Sequence, residues 1–121
     1  MTEKEVQEIY NQLLELTKAG TIQWTKTGSE EFTTSFSRSS VTVGKDHNYD
    51  EPSSSLKIFN DSGIIVALAA PDEDYVDDVD YGTKFFNLDP SELFNLVQEK
   101  VYKYSETSEN ILNELRKLKV S

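Results

Sequence analysis

The chain lacks cysteine altogether and contains only one histidine and five glycines. Without thiols, disulfide bonds, cysteine nucleophiles and zinc–thiolate sites are excluded. A serine triad normally needs a histidine base. The one available, His47, lies in a polar stretch with no Gly-x-Ser-x-Gly motif to accompany it. The glycines are too scattered for a phosphate-binding loop. We therefore predict that the protein is not an enzyme, with no catalytic residue, no metal ligand and no cofactor.

Long apolar runs are also absent, since no stretch approaches the ~18 residues that a membrane-spanning helix needs. The first residues, Met1–Glu5, are polar and unlike a signal peptide. A cysteine-free chain suits a reducing compartment, so we expect a cytoplasmic protein. The 121 residues correspond to a single domain, residues 1–121, which is large enough to bury a core.

Positive charge is scarce: 12 basic residues face 22 acidic ones, for a net charge of −10. This surplus disfavours direct binding to nucleic acid or to an anionic membrane, and it favours a basic protein partner. The imbalance is concentrated in residues 72–99, where 9 acids and 1 base give −8. By the same count, residues 1–71 carry −4 and residues 100–121 carry +2.

What the sequence does contain is strong local patterning. Thr2 and Glu5 fit a capping box at the start of a helix over 2–18, and Gly20 suits its C-terminal cap. An apolar stripe at helical spacing predicts that this helix packs on a sheet. Alternation of β-branched and aromatic residues then predicts three antiparallel strands, followed by a loop over 46–55. The predicted strands are Thr21–Thr27, Glu31–Ser37 and Arg38–Lys45.

The central stretch is Leu56–Ala70, two apolar runs joined by Asn60-Asp61-Ser62-Gly63. Asn, Asp and Gly accept the positive φ angles of tight turns, so the stretch predicts a β-hairpin. Its second run is apolar throughout, as in the middle strand of a sheet. Pro71 is expected to end that sheet.

Two C-terminal helices complete the predicted fold. Asp89 and Pro90 fit a helix start, and Ser105 or Thr107 can cap a last helix that carries Ile111, Leu112, Leu115 and Leu118. The fold class is α+β, with one N-terminal and two C-terminal helices against a five-stranded antiparallel meander, in the order α-β-β-β-β-β-α-α. The predicted core residues are Leu13, Trp24, Ile58, Val66, Leu68, Phe94 and Leu112.

A group of local motifs carries a resemblance. They are Leu14-x-Leu16-Thr17-x-Ala19-Gly20, Ile22-x-Trp24, Thr33-Thr34 and Leu56-x-Ile58-x-Asn60-x-x-Gly63, followed by two Leu-rich helices. In this order they are similar to small bacterial and prophage-borne α+β domains. The resemblance covers most of the chain and implies a bacterial or phage source. It implies no activity, and no functional residue follows from it.

The segment after Pro71 mixes carboxylates with large apolar residues. It does not fit an EF-hand, because neither Asp72 nor Asp78 as first ligand places Gly at position 6 and Glu at position 12. A looser divalent-metal-binding module, a solvated acidic loop and docking of its apolar residues on the sheet remain open. We predict a surface that binds a basic partner through eight residues: Asp72, Glu73, Asp74, Tyr75, Asp77, Asp78, Asp80 and Tyr81.

This surface leads to the functional hypothesis. The protein is expected to be a small acidic interaction protein, of inhibitor or immunity type. The alternative is a nucleic-acid mimic that inhibits a DNA- or RNA-binding enzyme, as anti-restriction and anti-CRISPR proteins do, because acids mixed with aromatics imitate the charge and stacking surface of a strand. Sequence alone leaves the oligomeric state open.

Overall fold

The computed structural model describes residues 1–47, 52–71 and 82–120 of the chain. Along these segments it has three helices and six strands. In chain order they are α1 (Glu3–Lys18), β1 (Thr25–Gly28), β2 (Glu31–Ser35), β3 (Ser40–Asp46), β4 (Ser53–Phe59), β5 (Ile65–Ala70), β6 (Lys84–Asn87), α2 (Ser91–Tyr102) and α3 (Tyr104–Val120). The predicted α+β class is confirmed.

The strands form one sheet in the order β1-β2-β3-β4-β5-β6. The first five are antiparallel neighbours, as predicted, but β6 pairs with β5 in parallel. The prediction of five strands is therefore wrong by one, because the sheet continues beyond Pro71. A strand that pairs in parallel with the preceding strand is not joined to it by a hairpin turn that could be recognised in the sequence. In addition, β6 is only four residues long.

Several predicted boundaries also shift. The expected loop over 46–55 is shorter, since the ladder between β3 and β4 extends to Asp46 opposite Ser53. Strand β1 begins at Thr25 rather than Thr21 because the residues before it close the end of α1. Strand β2 ends at Ser35 rather than at Ser37, and Phe36 beyond it is 48% exposed.

Helix α1 has the predicted caps at both ends. The Glu5 N–H donates to the Thr2 hydroxyl at 3.2 Å, and the Thr2 N–H donates to the Glu5 carboxylate at 3.0 Å. The hydrogen bond from the Thr2 N–H, together with that from the Thr2 hydroxyl, lowers the pKa of Glu5. At the other end Gly20 takes a left-handed φ of 76°, and the Thr21 N–H donates to the Leu16 carbonyl at 2.9 Å. The two ends thus match a capping box and a Schellman motif.

The core lies between the sheet and the helices α1 and α2. Its central row runs across the whole sheet in register, from Lys26 through Phe32, Val43, Leu56 and Ala69 to Phe86. Of the predicted core residues, five are buried: Leu13, Trp24, Ile58, Leu68 and Phe94. Val66 is partly buried against the core, and Leu112 is exposed, so that prediction is wrong.

The opposite face of the sheet is polar at one side and apolar at the other. The neighbouring row runs Thr25, Thr33, Thr42, Lys57, Leu68, Phe85. The Thr33 and Thr42 hydroxyl oxygens are 2.8 Å apart. Such cross-strand threonine pairs stabilise neighbouring strands. Leu68 is buried on this face rather than in the core beneath the helices.

Helix α2 starts close to the predicted position. It begins at Ser91, whose N–H donates to the Asp89 carboxylate at 3.0 Å, so Asp89 satisfies the helix start from two residues away. The helix buries Leu93, Phe94 and Val97 against the sheet. It ends at Tyr102.

Candidate functional site

The eight residues predicted to bind a partner lie outside the part of the chain that the structure describes: Asp72, Glu73, Asp74, Tyr75, Asp77, Asp78, Asp80 and Tyr81. The prediction that they form a binding surface stays a prediction. Among the described residues the candidate interaction site is helix α3, which was predicted from the sequence to pack on the sheet.

Helix α3 lies entirely on the surface, because every residue from Tyr104 to Val120 is exposed. Among the described elements it contacts chiefly α2. Its large apolar side chains are nevertheless on one side: Ile111 is 55% exposed, Leu112 48%, Leu115 50% and Leu118 71%. We call these four residues the α3 stripe. Such a continuous exposed apolar surface is typical of an interaction site.

The bend between α2 and α3 is one residue long. Lys103 takes a left-handed conformation with φ 55° and ψ 46°, which is uncommon for a residue other than glycine. Its N–H donates to the Glu99 carbonyl at 2.8 Å. The Ser105 N–H donates to the Glu99 carboxylate at 3.1 Å. Hydrogen bonds from the Ser105 hydroxyl and N–H lower the pKa of Glu99. Glu99 therefore caps the start of α3 and fixes it after the bend.

Aromatic contacts join this bend to the sheet. The rings of Tyr102 and Tyr104 are stacked, with centroids 5.4 Å apart. Tyr102 also meets the buried ring of Phe32 edge-on at 6.2 Å, and the Lys26 ammonium lies 5.2 Å from the centre of the Tyr102 ring. The first turn of α3 is thus attached to the core, while the α3 stripe further along the helix remains exposed.

Charge is divided along α3. Residues 104–114 contain three acids and no base, namely Glu106, Glu109 and Glu114. Residues 115–120 contain three bases and no acid, namely Arg116, Lys117 and Lys119. Basic residues near a helix C-terminus and acidic ones near its N-terminus both suit the helix dipole. The helix has no net charge, so the remainder of the chain carries the full −10.

Sequence reasoning interpreted the α3 stripe as a core-facing surface, because an amphipathic helix usually packs on its own domain. A second signal was present. Positions 104, 108, 111, 115 and 118 are separated by 4, 3, 4 and 3 residues, the spacing of a seam between two paired helices. Together with the divided charge, this spacing could have indicated a helix that pairs outside its own fold.

A second apolar feature is a groove beside α1. It has a volume of about 720 Å³ and lies between α1 and the ends of the β2–β3 and β4–β5 hairpins. Ile9, Leu16 and Phe36 contribute apolar walls, and Glu5, Glu8, Arg38 and Asp61 supply charged groups. Such a groove can accept an apolar side chain or a small ligand.

His47 lies at a smaller polar cleft of about 230 Å³. Its Nε2 forms an ion pair with the Glu30 carboxylate if the ring is protonated. The His47 side chain is exposed to solvent and that of Glu30 is partly exposed. A histidine and a carboxylate can orient a nucleophile, but no serine or threonine hydroxyl donates to His47 among the described hydrogen bonds. This pair links β3 to the β1–β2 turn and gives weaker support for a functional site than α3.

Neither a metal cluster nor a membrane span is found among the described residues. In residues 1–47, 52–71 and 82–120, no three acidic or histidine side chains are grouped to hold a metal ion. Within the same segments, none of the helices combines the length and apolarity needed to cross a membrane. Of the segment tested against the EF-hand pattern, residues 72–81 lie outside the described residues.

Comparison with known proteins found no matching family model, no matching curated protein and no matching solved structure. The bacterial or phage source implied by the sequence motifs stays a prediction.

Proposed function

We propose that this protein is a non-enzymatic interaction protein whose docking element is helix α3. The observation that supports this is the exposure of every residue of a helix that carries four large apolar side chains on one side. Isolated helices shorter than about 12–15 residues are marginal in water, and in proteins the packing of an apolar face supplies most of the stability of a helix. Helix α3 obtains little such packing from the described chain, so a partner would supply it.

The acidic remainder of the chain supports a second contact. Because α3 is neutral, the net charge of −10 belongs wholly to the other residues, and a basic protein partner suits it. We propose that the protein acts as an inhibitor or immunity-type protein in the cytoplasm, with the segment containing Asp72–Tyr81 as its acidic surface. Mimicry of a nucleic acid strand is the second candidate for that surface, favoured by its mixture of acids and tyrosines. A divalent-metal-binding module is a third and weaker proposal.

The docking role of α3 predicts a selective loss of binding. In a pull-down from source-cell lysate, the variant Leu112→Asp/Leu115→Asp should lose the protein that the wild type retains, because two charges enter an apolar contact. The control is Asn113→Asp, which adds one charge to the opposite side of the same helix. All three proteins should unfold at similar temperatures, since these side chains are exposed. Retention by the double variant at the wild-type level would contradict the proposal.

The acidic surface predicts a kinetic effect. The variant Asp77→Asn/Asp78→Asn/Asp80→Asn should bind the basic partner with an association rate about tenfold lower at low salt, because charges act over a Debye length of ~8–10 Å at physiological ionic strength. The effect should shrink as salt is raised. Tyr75→Ala should instead increase the dissociation rate, as loss of an aromatic anchor does. Unchanged rates for both folded variants would show that this segment is not the interface.

A further inference from the structure

We propose that the α3 stripe pairs with the α3 stripe of a second copy of this chain, in antiparallel orientation about a two-fold axis. This inference rests on the proposed function, because it names the partner of the same docking helix. A pair of identical surfaces related by a two-fold axis is the commonest way in which a protein forms a dimer.

The spacing of α3 provides the seam. Tyr104, Ser108, Ile111, Leu115 and Leu118 recur at alternating intervals of 4 and 3 residues, and each of them is exposed. Side chains at this spacing interlock between two helices. In the antiparallel register that places Ile111 opposite Leu115 of the second copy, Ser108 lies opposite Leu118 of the second copy. Leu112 lies beside this seam and adds apolar contact.

The charge of α3 selects the orientation. In this antiparallel register Glu106 and Glu109 of one helix lie level with positions 120 and 117 of the other, alongside its basic residues, while Glu114 lies near the two-fold axis. A parallel pair would place acids opposite acids and bases opposite bases. Antiparallel alignment also brings the positive end of each helix dipole near the negative end of the other. The distribution of charged residues and the helix dipoles therefore both favour the antiparallel pair.

The rest of the chain favours the same arrangement. Each copy carries its full charge of −10 outside α3, and α3 joins that body at its N-terminal end, through Lys103. A helix of 17 residues is about 26 Å long. Antiparallel pairing therefore places the two acidic bodies at opposite ends, separated by more than the Debye length of ~8 Å. Insertion of α3 into the groove of a second copy would bring the bodies together, so we favour the helix pair.

The first experiment measures mass against concentration by sedimentation equilibrium. A pair of short helices buries less than the ~800 Å² per partner of a standard interface, so the dimer should form over ~10 µM to ~1 mM. Leu115→Asp should raise the dissociation constant by about a hundredfold, because the dimer loses two buried leucines. Asn113→Asp, on the outer side of the same helix, should change it by less than about threefold.

The second experiment determines the orientation, and the absence of native cysteine makes it direct. Ser108→Cys and Leu118→Cys are treated with a short thiol crosslinker, separately and as an equimolar mixture. The antiparallel pair predicts a crosslinked dimer in the mixture alone, since like positions would lie about 15 Å apart along the seam. Crosslinking of each variant alone would indicate a parallel pair and overturn the proposal.

A third variant tests the groove. Phe36→Asp places a charge in the apolar groove beside α1 and should leave the dissociation constant unchanged. If it abolishes the dimer, α3 inserts into the groove and the helix pair is wrong. A wild type that stays monomeric up to ~1 mM also overturns the helix pair. If the wild type stays monomeric but Leu112→Asp/Leu115→Asp still loses a different lysate protein, the docking function of α3 stands and only the second copy is wrong as its partner.

Discussion

Replacing Phe32 with alanine should lower the free energy of unfolding by about 3–5 kcal/mol. Phe32 is fully buried on the helix-facing side of the sheet. Its ring centroid lies 5.9 Å from that of Phe94 and 6.2 Å from that of Tyr102. Truncation removes the transfer free energy of the ring and leaves a cavity beneath α2. Urea titration followed by circular dichroism measures the loss.

Phe36→Ala is the matched control, since it is the same substitution four residues further along the chain. Phe36 lies beyond β2 and is 48% exposed, so the expected loss is below about 1 kcal/mol. Comparing the two variants therefore shows how the same substitution affects stability at a core position and at a surface position. Comparable losses for the two variants would mean that β2 is placed incorrectly against α2.

Replacing Thr17 with valine should cost about 1–3 kcal/mol. The Trp24 indole Nε1–H donates to the Thr17 hydroxyl at 2.9 Å, and both side chains are buried. Valine has nearly the shape of threonine but cannot accept the hydrogen bond. The indole N–H then stays buried without its acceptor, which costs the desolvation of that group.

Thr17→Ser is the control for this substitution, because it keeps the hydroxyl and removes only a methyl group. It should cost about 1 kcal/mol. Trp24 is the chain's one tryptophan, so its fluorescence reports both unfolding and the local environment of the indole. A valine variant as stable as the wild type would show that the hydrogen bond contributes nothing net, and that the pair is held by packing.

The elements that sequence predicted well are those with local causes. The capping box at Thr2 and Glu5 and the turn at Asn60 and Gly63 each depend on residues within a few positions of one another. In the turn, the Asn60 side chain accepts from the Ser62 and Ile64 N–H groups at 2.9 and 3.0 Å, and Gly63 takes a φ of 78°. Such signals survive in sequence because no distant contact is needed to form them.

The elements that sequence missed depend on distant contacts. Strand β6 forms by pairing with a neighbouring strand, where Phe86 lies in register with Ala69. Its four residues show too little alternation for a strand to be predicted from the sequence. Helix α3 was correctly predicted as a helix, but the periodicity of its apolar residues could not show whether they are buried or exposed. Its direction follows from the left-handed Lys103 and the Glu99 cap, and an apolar stripe looks the same whether it faces its own core or a partner.

The candidate site shows the same division. Composition located the acidic segment from Asp72 to Tyr81, since charge can be counted along the chain. The α3 stripe was visible as residues but not as a surface, because its exposure depends on where α2 leaves the sheet. Function remained open because no residue pattern in this chain is tied to one chemistry.

The order of the strands has a consequence for the entropy of loop closure. Each strand pairs with the one preceding it in the chain, so the sheet can grow by adding neighbours through connections that are mostly short. The cost of closing a loop rises with its length. The loop-closure entropy is larger for the connection from β5 to β6. It is also larger for the packing of α1 on α2, which brings Glu3–Lys18 against Ser91–Tyr102. The contact between α1 and α2 therefore joins residues far apart in the chain, and contacts of this kind raise the contact order, which correlates with slower folding.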